Sequence, residues 1–271
     1  MKRRLFLAVP APYILSSCAS VRPVGTGEDV AVVRRTLVPT GTLRIAVLNG
    51  APTSMVRDPA TGERRGVGYE IGVELAKRLG VPFEVMEFSA FAQVAEAIAS
   101  GRADFGAFNA ASDRARDVWV SKPLFLQESS YLVPAGSRIT SPALADQAGI
   151  RIGVQQNSTS QRVLGGVLKQ ATLVPVPNLQ NVPAMLTGGQ FDAFATNKGI
   201  LFDLADRLPG SRVLEGSFTT ERQSVAVPKG REVATAFLEQ FLQDVRASGL
   251  VAESARRARA RGLIIPDSLM H

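Results

Sequence analysis

Apolar and polar residues alternate in blocks along this chain, and the period of each block predicts its element. Leu43-Arg44-Ile45-Ala46-Val47-Leu48 is short and mostly apolar, as a buried strand requires, and Tyr69 to Leu79 has helical spacing with Gly80 as its stop. Phe83 to Met86 predicts a second strand, Phe91 to Ala99 a second helix stopped by Gly101, and Asp104 to Phe108 a third strand. The pattern then restarts. Arg151 to Val154 and Thr172 to Val176 predict strands, with helices from about Ser160 to Lys169 and near Val182 to Leu186. Asp192 to Ala195 predicts another strand and Lys198 to Ala205 another helix. After the strand Ser224 to Val227, long helical stretches run from Glu232 to Val245 and from Leu250 to Ala260. Strands alternating with helices specify parallel sheet, hence an α/β fold.

The two series share a phrase. Ala99-Ser100-Gly101-Arg102-Ala103-Asp104 and Leu186-Thr187-Gly188-Gly189-Gln190-Phe191-Asp192 each read as a helix end, a glycine turn and an aspartate opening a strand. This predicts two similar lobes rather than one long sheet. Ala19 to about Arg35 carries Pro, Gly, Thr and charge without sustained periodicity, and reads as a tether.

The start of the chain is patterned differently. Lys2-Arg3-Arg4, the apolar run from Leu5 to Leu15 and the small residues before Cys18 outline an export signal over residues 1–17. Cys18 is the only cysteine in 271 residues. A lone cysteine in that place resembles the lipobox of bacterial lipoproteins. The resemblance implies cleavage before Cys18, lipidation of its sulfur, a lipidated tether over residues 18–35 and a body anchored to a membrane outside the cytoplasm, in the periplasm or at the cell surface. An ordinary cleavable signal with an incidental cysteine is the alternative. Lys2 to Leu7 also partly resembles a twin-arginine signal, which leaves the export route open, and Ala19 after the cysteine would let such a lipoprotein sort to the outer membrane.

Composition adds limits. With one cysteine there is no intramolecular disulfide, so stability comes from the core, and no later apolar run approaches the roughly 20 residues that span a bilayer. The formal charge of +7 falls by the three charges of Lys2, Arg3 and Arg4 when the signal leaves. Export and the dispersal of the remaining basic residues argue against nucleic acid. Arg256, Arg257, Arg259 and Arg261 are the exception, and read as a solvated helix face or as a patch for anionic headgroups.

Several phrases together resemble a family. Gly41-Thr42-Leu43-Arg44-Ile45-Ala46-Val47, Gly66-Val67-Gly68-Tyr69-Glu70-Ile71 and Leu75-Ala76-Lys77-Arg78-Leu79-Gly80 come first. Asp113-Arg114-Ala115-Arg116-Asp117, Val120-Ser121-Lys122-Pro123-Leu124-Phe125 and Ile152-Gly153-Val154-Gln155-Gln156-Asn157-Ser158-Thr159 follow. Their order and spacing resemble the extracytoplasmic solute-binding proteins of ABC importers, in the polar amino-acid group, family 3. The resemblance implies the type II periplasmic-binding architecture: two Rossmann-like lobes, 36–131 plus 224–271 and 132–223, joined by strands crossing at Ser129 to Val133 and Ser224 to Val227. The lobes close over a small carboxylate-bearing solute, an amino acid or an organic acid, and the protein, a monomer, hands it to a membrane permease. No Gly-x-x-x-x-Gly-Lys-Ser/Thr loop occurs, so ATP hydrolysis falls to another chain.

The resemblance also implies the ligand residues. Arg114 stands where the family arginine grips the ligand carboxylate, a task suited to the planar fork of a guanidinium; a surface arginine paired with Asp113 or Asp117 is the alternative. Asn109 stands where a hydroxyl donor is usual, Phe91 where an aromatic often stacks, and Ala51-Pro52-Thr53 where another aromatic is expected, which makes Thr53 the residue at that position. Ser158 and Thr159 sit between a strand and a helix, where hydroxyls and exposed N–H groups hold an anion or simply cap the helix. Asn197 departs most. The family clamps the ligand ammonium there with an aspartate, and Lys198 beside it would repel a cation. These departures point to an anionic or neutral solute such as an organic acid.

Catalysis has little to draw on. The only histidine is His271, which excludes a Ser/His/Asp triad and a multi-histidine metal site, and no cofactor motif occurs. The chain reads as a non-enzyme. The alternatives are a dehydratase on the same fold, of the cyclohexadienyl or arogenate type, with Glu70 or Glu128 as its acid, and a sensor module.

Overall fold

The structure, a computed structural model, describes residues 27–58, 60–110 and 113–265; the expected signal and Cys18 lie outside them. In chain order these residues form α1 (Gly27–Leu37), β1 (Leu43–Leu48), β2 (Val56–Arg57), β3 (Arg64–Arg65), α2 (Val67–Leu79), β4 (Phe83–Phe88), α3 (Phe91–Ala99), β5 (Phe105–Asn109), β6 (Val118–Val120) and β7 (Phe125–Val133). The second half gives β8 (Arg151–Gln155), α4 (Thr159–Val167), β9 (Thr172–Val176), α5 (Val182–Thr187), β10 (Ala193–Asn197), α6 (Lys198–Ala205) and β11 (Arg212–Val213). It ends with β12 (Thr219–Pro228), α7 (Thr235–Ala247), α8 (Leu250–Arg257) and β13 (Leu263–Ile264).

In the first lobe β1 runs parallel to β4 and β5, and both of its faces are covered. Leu43, Ile45 and Val47 face a core with Leu37 of α1, Ile71 and Leu75 of α2, and Leu238 and Leu242 of α7. Ala46, between them, faces Val94 and Ile98 of α3 with Phe108 and Ala226. A strand buried on both sides reads as an unbroken apolar run, which is why it was legible. The second lobe repeats the scheme on β8, β9 and β10. Ala193 and Ala195 of β10 face Ile152, Val154 and Leu164, while Phe194 faces Phe191, Leu201 and Leu204.

The shared phrase does the same work twice. The Asp104 N–H donates to the Arg44 carbonyl, and the Asp104 carboxylate accepts from the Arg44 N–H and guanidinium. In the second lobe the Asp192 N–H donates to the Arg151 carbonyl, and its carboxylate accepts from the Arg151 N–H and guanidinium. Each aspartate ties the start of the strand it opens to the start of its parallel neighbour.

Several expectations are corrected. The expected tether is helical from Gly27, because Val33 and Leu37 pack into the first core. The two lobes are not separate sheets: β12 pairs with β5 through Gln223 to Ala226 and with β7 through Thr219 to Gln223, so one hydrogen-bonded ladder runs through both, in the order β4-β1-β5-β12-β7-β10-β8-β9. The crossing strands therefore begin earlier than Ser129 and Ser224. Residues Glu232–Ala234 form a 3-10 turn ahead of α7. The arginines near the end are not merely solvated. Arg256 pairs with Glu253, Arg257 with Glu253 and Glu70, and Arg261 reaches Asp206 at 2.6 Å and Asp203 at 3.4 Å on α6. Arg261 also lies 4.9 Å above the Phe202 ring, so the chain beyond α8 fastens onto α6 of the second lobe, while β13 pairs with the crossing strand β7 at Leu126 and Gln127.

Candidate ligand-binding site

Directly opposed residues of neighbouring strands share a face, as do residues two apart on one strand. Asn109 of β5 opposes Gln223 of β12, and Glu221, two residues earlier, opposes Gln127 of β7. Ser129, two beyond Gln127, opposes Asn197 of β10. The register thus lays six polar residues in a stepped row across the two crossing strands, from the end of β5 to the end of β10. That is the edge where parallel strands end and where ligands of open α/β sheets sit.

A cavity of about 90 Å³ opens on this row, several times the space one water needs. From the first lobe Leu48, Thr53, Phe91 and Asn109 line it; from the second, Gln155, Ser158, Thr159 and Asn197; from the crossing strands, Gln127, Glu221 and Gln223. Of the residues named from the sequence, Thr53, Asn109, Phe91, Ser158, Thr159 and Asn197 therefore come together. Arg114 lies on the 3-10 turn Asp113–Asp117 that follows β5, and its side chain is outside the described residues.

The lobes touch across the cavity, where Asn109 Nδ2 donates to Thr159 Oγ1 at 3.3 Å. Ser158 is the N-cap of α4, its Oγ accepting from the Gln161 N–H at 3.1 Å. Phe91 is half-exposed toward the cavity and packs against Phe108 with ring centroids 5.6 Å apart, so its core role and its place at the cavity coexist. Asn197 is the N-cap of α6, its Oδ1 accepting from the Ile200 N–H at 3.0 Å. Replacing Asn197 with alanine should lower stability by about 1 kcal/mol in a denaturant titration, whereas aspartate should keep the cap and the stability.

Glu221 was missed. It lies in the polar half of β12, where no apolar period marks a strand. Its carboxylate accepts from Asn109 Nδ2 at 2.7 Å, Ser129 Oγ at 3.0 Å and Gln223 Nε2 at 3.4 Å. Burial raises its pKa, against the opposing effects of the Ser129 and Asn109 hydrogen bonds and the charge of Arg162. Among the described residues no ion pair reaches it. Gln127, also missed, is buried at 1 % exposure, and its Nε2 has no partner among the described residues.

The carboxylates singled out for acid chemistry lie elsewhere. Glu70 is held by Ser254 Oγ at 2.7 Å and by Arg257, away from the cavity. Glu128 holds Lys198 Nζ at 2.6 Å. That ion pair occupies the lysine read as repelling a ligand cation.

A family model described as bacterial extracellular solute-binding proteins, family 3, matches residues 43–258. The glutamine-binding protein of Geobacillus stearothermophilus is 25% identical over 230 residues, 79% of this chain and 87% of its own. The ancestral amino acid-binding protein AncCDT-1, a precursor of cyclohexadienyl dehydratase, superposes with a TM-score of 0.70 at 20% identity, covering 84% of this chain and 98% of that one. The amino acid ABC transporter substrate-binding protein AbpA of Streptococcus pneumoniae, bound to L-arginine, gives 0.71 at 20% identity, with 83% and 97% covered. The structures share the type II periplasmic binding fold, two lobes on crossing strands. With residues 43–258 taken in by one family model that spans both lobes, the chain belongs to the bacterial extracellular solute-binding proteins, family 3.

Proposed function

We propose that this protein is an extracytoplasmic receptor whose lobes, 36–131 with 224–271 and 132–223, close on a small carboxylate-bearing solute and deliver it to an ABC permease. The observation that carries the reading is the single row of polar residues contributed by both lobes and both crossing strands to one cavity. A ligand there contacts both lobes at once, so it favours the closed state by its differential contacts. Asn109, Ser158, Thr159 and Thr53 supply polar contacts, Phe91 an apolar wall, Asn197 the end of the row, and Arg114 the carboxylate grip. The protein acts as a monomer without turnover. Cys18 carries the lipid that keeps it at the membrane. Among the described residues no helix is long and apolar enough to cross a bilayer.

The relatives support an amino acid or a related acid, since the Geobacillus protein is named for glutamine and the Streptococcus protein was bound to L-arginine. A thermal-shift screen of the chain without its signal, against amino acids and organic acids, tests the reading. At least one class should raise the melting temperature, and Arg114→Ala should abolish the shift from any carboxylate ligand. A shift that survives Arg114→Ala removes that residue as the anchor. One observation favours a second reading: Glu221 is a carboxylate at the cavity whose pKa burial raises, as a dehydratase acid requires. Incubation with prephenate or arogenate separates the two, because a receptor yields no product.

A further inference from the structure

We propose that Glu221 selects the solute, by accepting hydrogen bonds from a cationic nitrogen that the solute carries. The inference rests on the receptor reading above and names the class of solute within it.

Glu221 stands in the middle of the polar row, on the crossing strand β12, opposite Gln127. Three neutral groups donate to it, from Asn109, Ser129 and Gln223, and among the described residues no cation pairs with it. The charge of the exposed Arg162 on α4 favours its ionised form from a distance. Among the described residues, then, a carboxylate held by neutral donors in a cavity that closes has lost water without gaining a paired counter-charge. Either the ligand brings that charge or the carboxyl holds a proton.

The neighbouring groups decide between these. Asn197, where a carboxylate for the ligand ammonium was expected, spends its Oδ1 on capping α6. The second lobe therefore offers no anion at that place. Lys198, whose charge counted against a cationic ligand, is bound to Glu128 at 2.6 Å and does not line the cavity. The acceptor missing from β10 is thus supplied two strands away on the same face of the sheet, and with Lys198 held by Glu128 one ground for expecting an anionic or neutral solute is removed. Ser129 Oγ and Asn109 Nδ2 fix the orientation of the carboxylate, so little freedom is lost when a ligand nitrogen arrives. A carboxylate kept at such a place works against stability in the ligand-free state, a cost accepted at binding sites.

The test uses matched pairs: α-amino acids beside the 2-hydroxy acids and plain carboxylic acids of the same skeleton, titrated calorimetrically into the chain without its signal. The nitrogen-bearing member of a pair should bind and its nitrogen-free counterpart should bind on the order of tenfold more weakly or worse. Glu221→Gln, nearly isosteric, should lose most of that preference while its ligand-free melting temperature stays the same or rises. If nitrogen-free acids bind as well as their amino counterparts, or if Glu221→Gln leaves the preference intact, the assignment of Glu221 is overturned and the receptor reading stands. If no member of any pair binds, the receptor reading itself fails. Should Glu221→Gln not fold, the paired titrations on the unaltered chain decide the matter alone.

Discussion

Asp104→Ala should cost roughly 3–5 kcal/mol, as expected for breaking a buried ion pair, and lower the melting temperature by about 10 °C for a chain of this size. The Asp104 side chain has 0% exposure. Its Oδ2 accepts from the Arg44 N–H at 3.0 Å and Nε at 2.8 Å, and its Oδ1 from Arg44 Nη2 at 2.7 Å and Arg231 Nη2 at 2.8 Å. Arg231, 8% exposed, also donates to the Leu37 carbonyl at the end of α1. Truncation therefore leaves two guanidinium groups and a strand N–H without their acceptor, and loosens α1, β1 and the approach to α7 together. The equivalent Asp192→Ala makes the control. It removes the same bonds to Arg151, but there the side chains are 43% and 35% exposed, and water replaces what is lost. Its cost should stay under about 1 kcal/mol. The Arg151 hydrogen bond holds the Asp192 carboxyl below the usual range. A lowered carboxylate pKa contributes stability above the unfolded-state value and loses it as pH falls through the folded one. The small difference between Asp192→Ala and the parent should accordingly vanish in strong acid. Thermal unfolding of the two variants checks both statements; equal losses would mean that burial does not set the scale.

Gly66→Ala should be comparably harmful and should also reach the cavity. Gly66 has φ 145°, a conformation that side-chain-bearing residues rarely adopt. A Cβ there would lie 2.4 Å from the Ser54 carbonyl oxygen and 2.8 Å from Met55 Cα, both backbone atoms with no rotamer to yield. The backbone strain alone is worth about 1–3 kcal/mol, and the clash adds to it. The loop that must give way is pinned by Gly68 N–H to the Thr53 carbonyl, Tyr69 N–H to the Ser54 carbonyl, both at 3.0 Å, and Leu48 N–H to Ser54 Oγ at 2.8 Å. Since Ala51, Thr53 and Ser54 line the cavity, molecules that remain folded should bind solute more weakly. Gly101→Ala separates strain from collision. Its φ is 72°, and nothing lies within 4 Å of the point a Cβ would occupy, so it should cost only about 1 kcal/mol and leave binding unchanged. Calorimetry on both variants with any solute that binds the parent measures the contrast.

Elements whose apolar residues recur on a regular period were legible from the sequence almost to the residue. The strand Leu43–Leu48, the helix Phe91–Ala99, the strand Thr172–Val176 and the helix Lys198–Ala205 have the expected bounds, because burial on a fixed period is written into residue order. The shared aspartate phrase was legible for the same local reason, as a turn followed by a strand. The two-residue strands β2, β3, β11 and β13 were not, since pairing with a partner is all that makes them strands. Nor was the first half of β12, Thr219 to Gln223, whose residues are polar and which extends because β7 lies beside it. The helix α1 escaped notice among prolines, glycines and charges although Val33 and Leu37 stand one turn apart on its inner face.

The site divides in the same way. Asn109, Phe91, Ser158, Thr159, Asn197 and Thr53 were reached through the family resemblance carried by neighbouring phrases, and the fold gathers all six at one cavity. Sequence by itself determined the α/β alternation and the repeated strand–helix pattern of the two lobes. Only tertiary structure decided the charge of the sheet edge at the cavity. Lys198 follows Asn197 in the chain yet is bound to Glu128, while Glu221, far away in sequence, stands on the row that Asn197 ends. Which charge a ligand meets depends on strand register and on which ions neutralise one another, and both are set by residues distant in the chain.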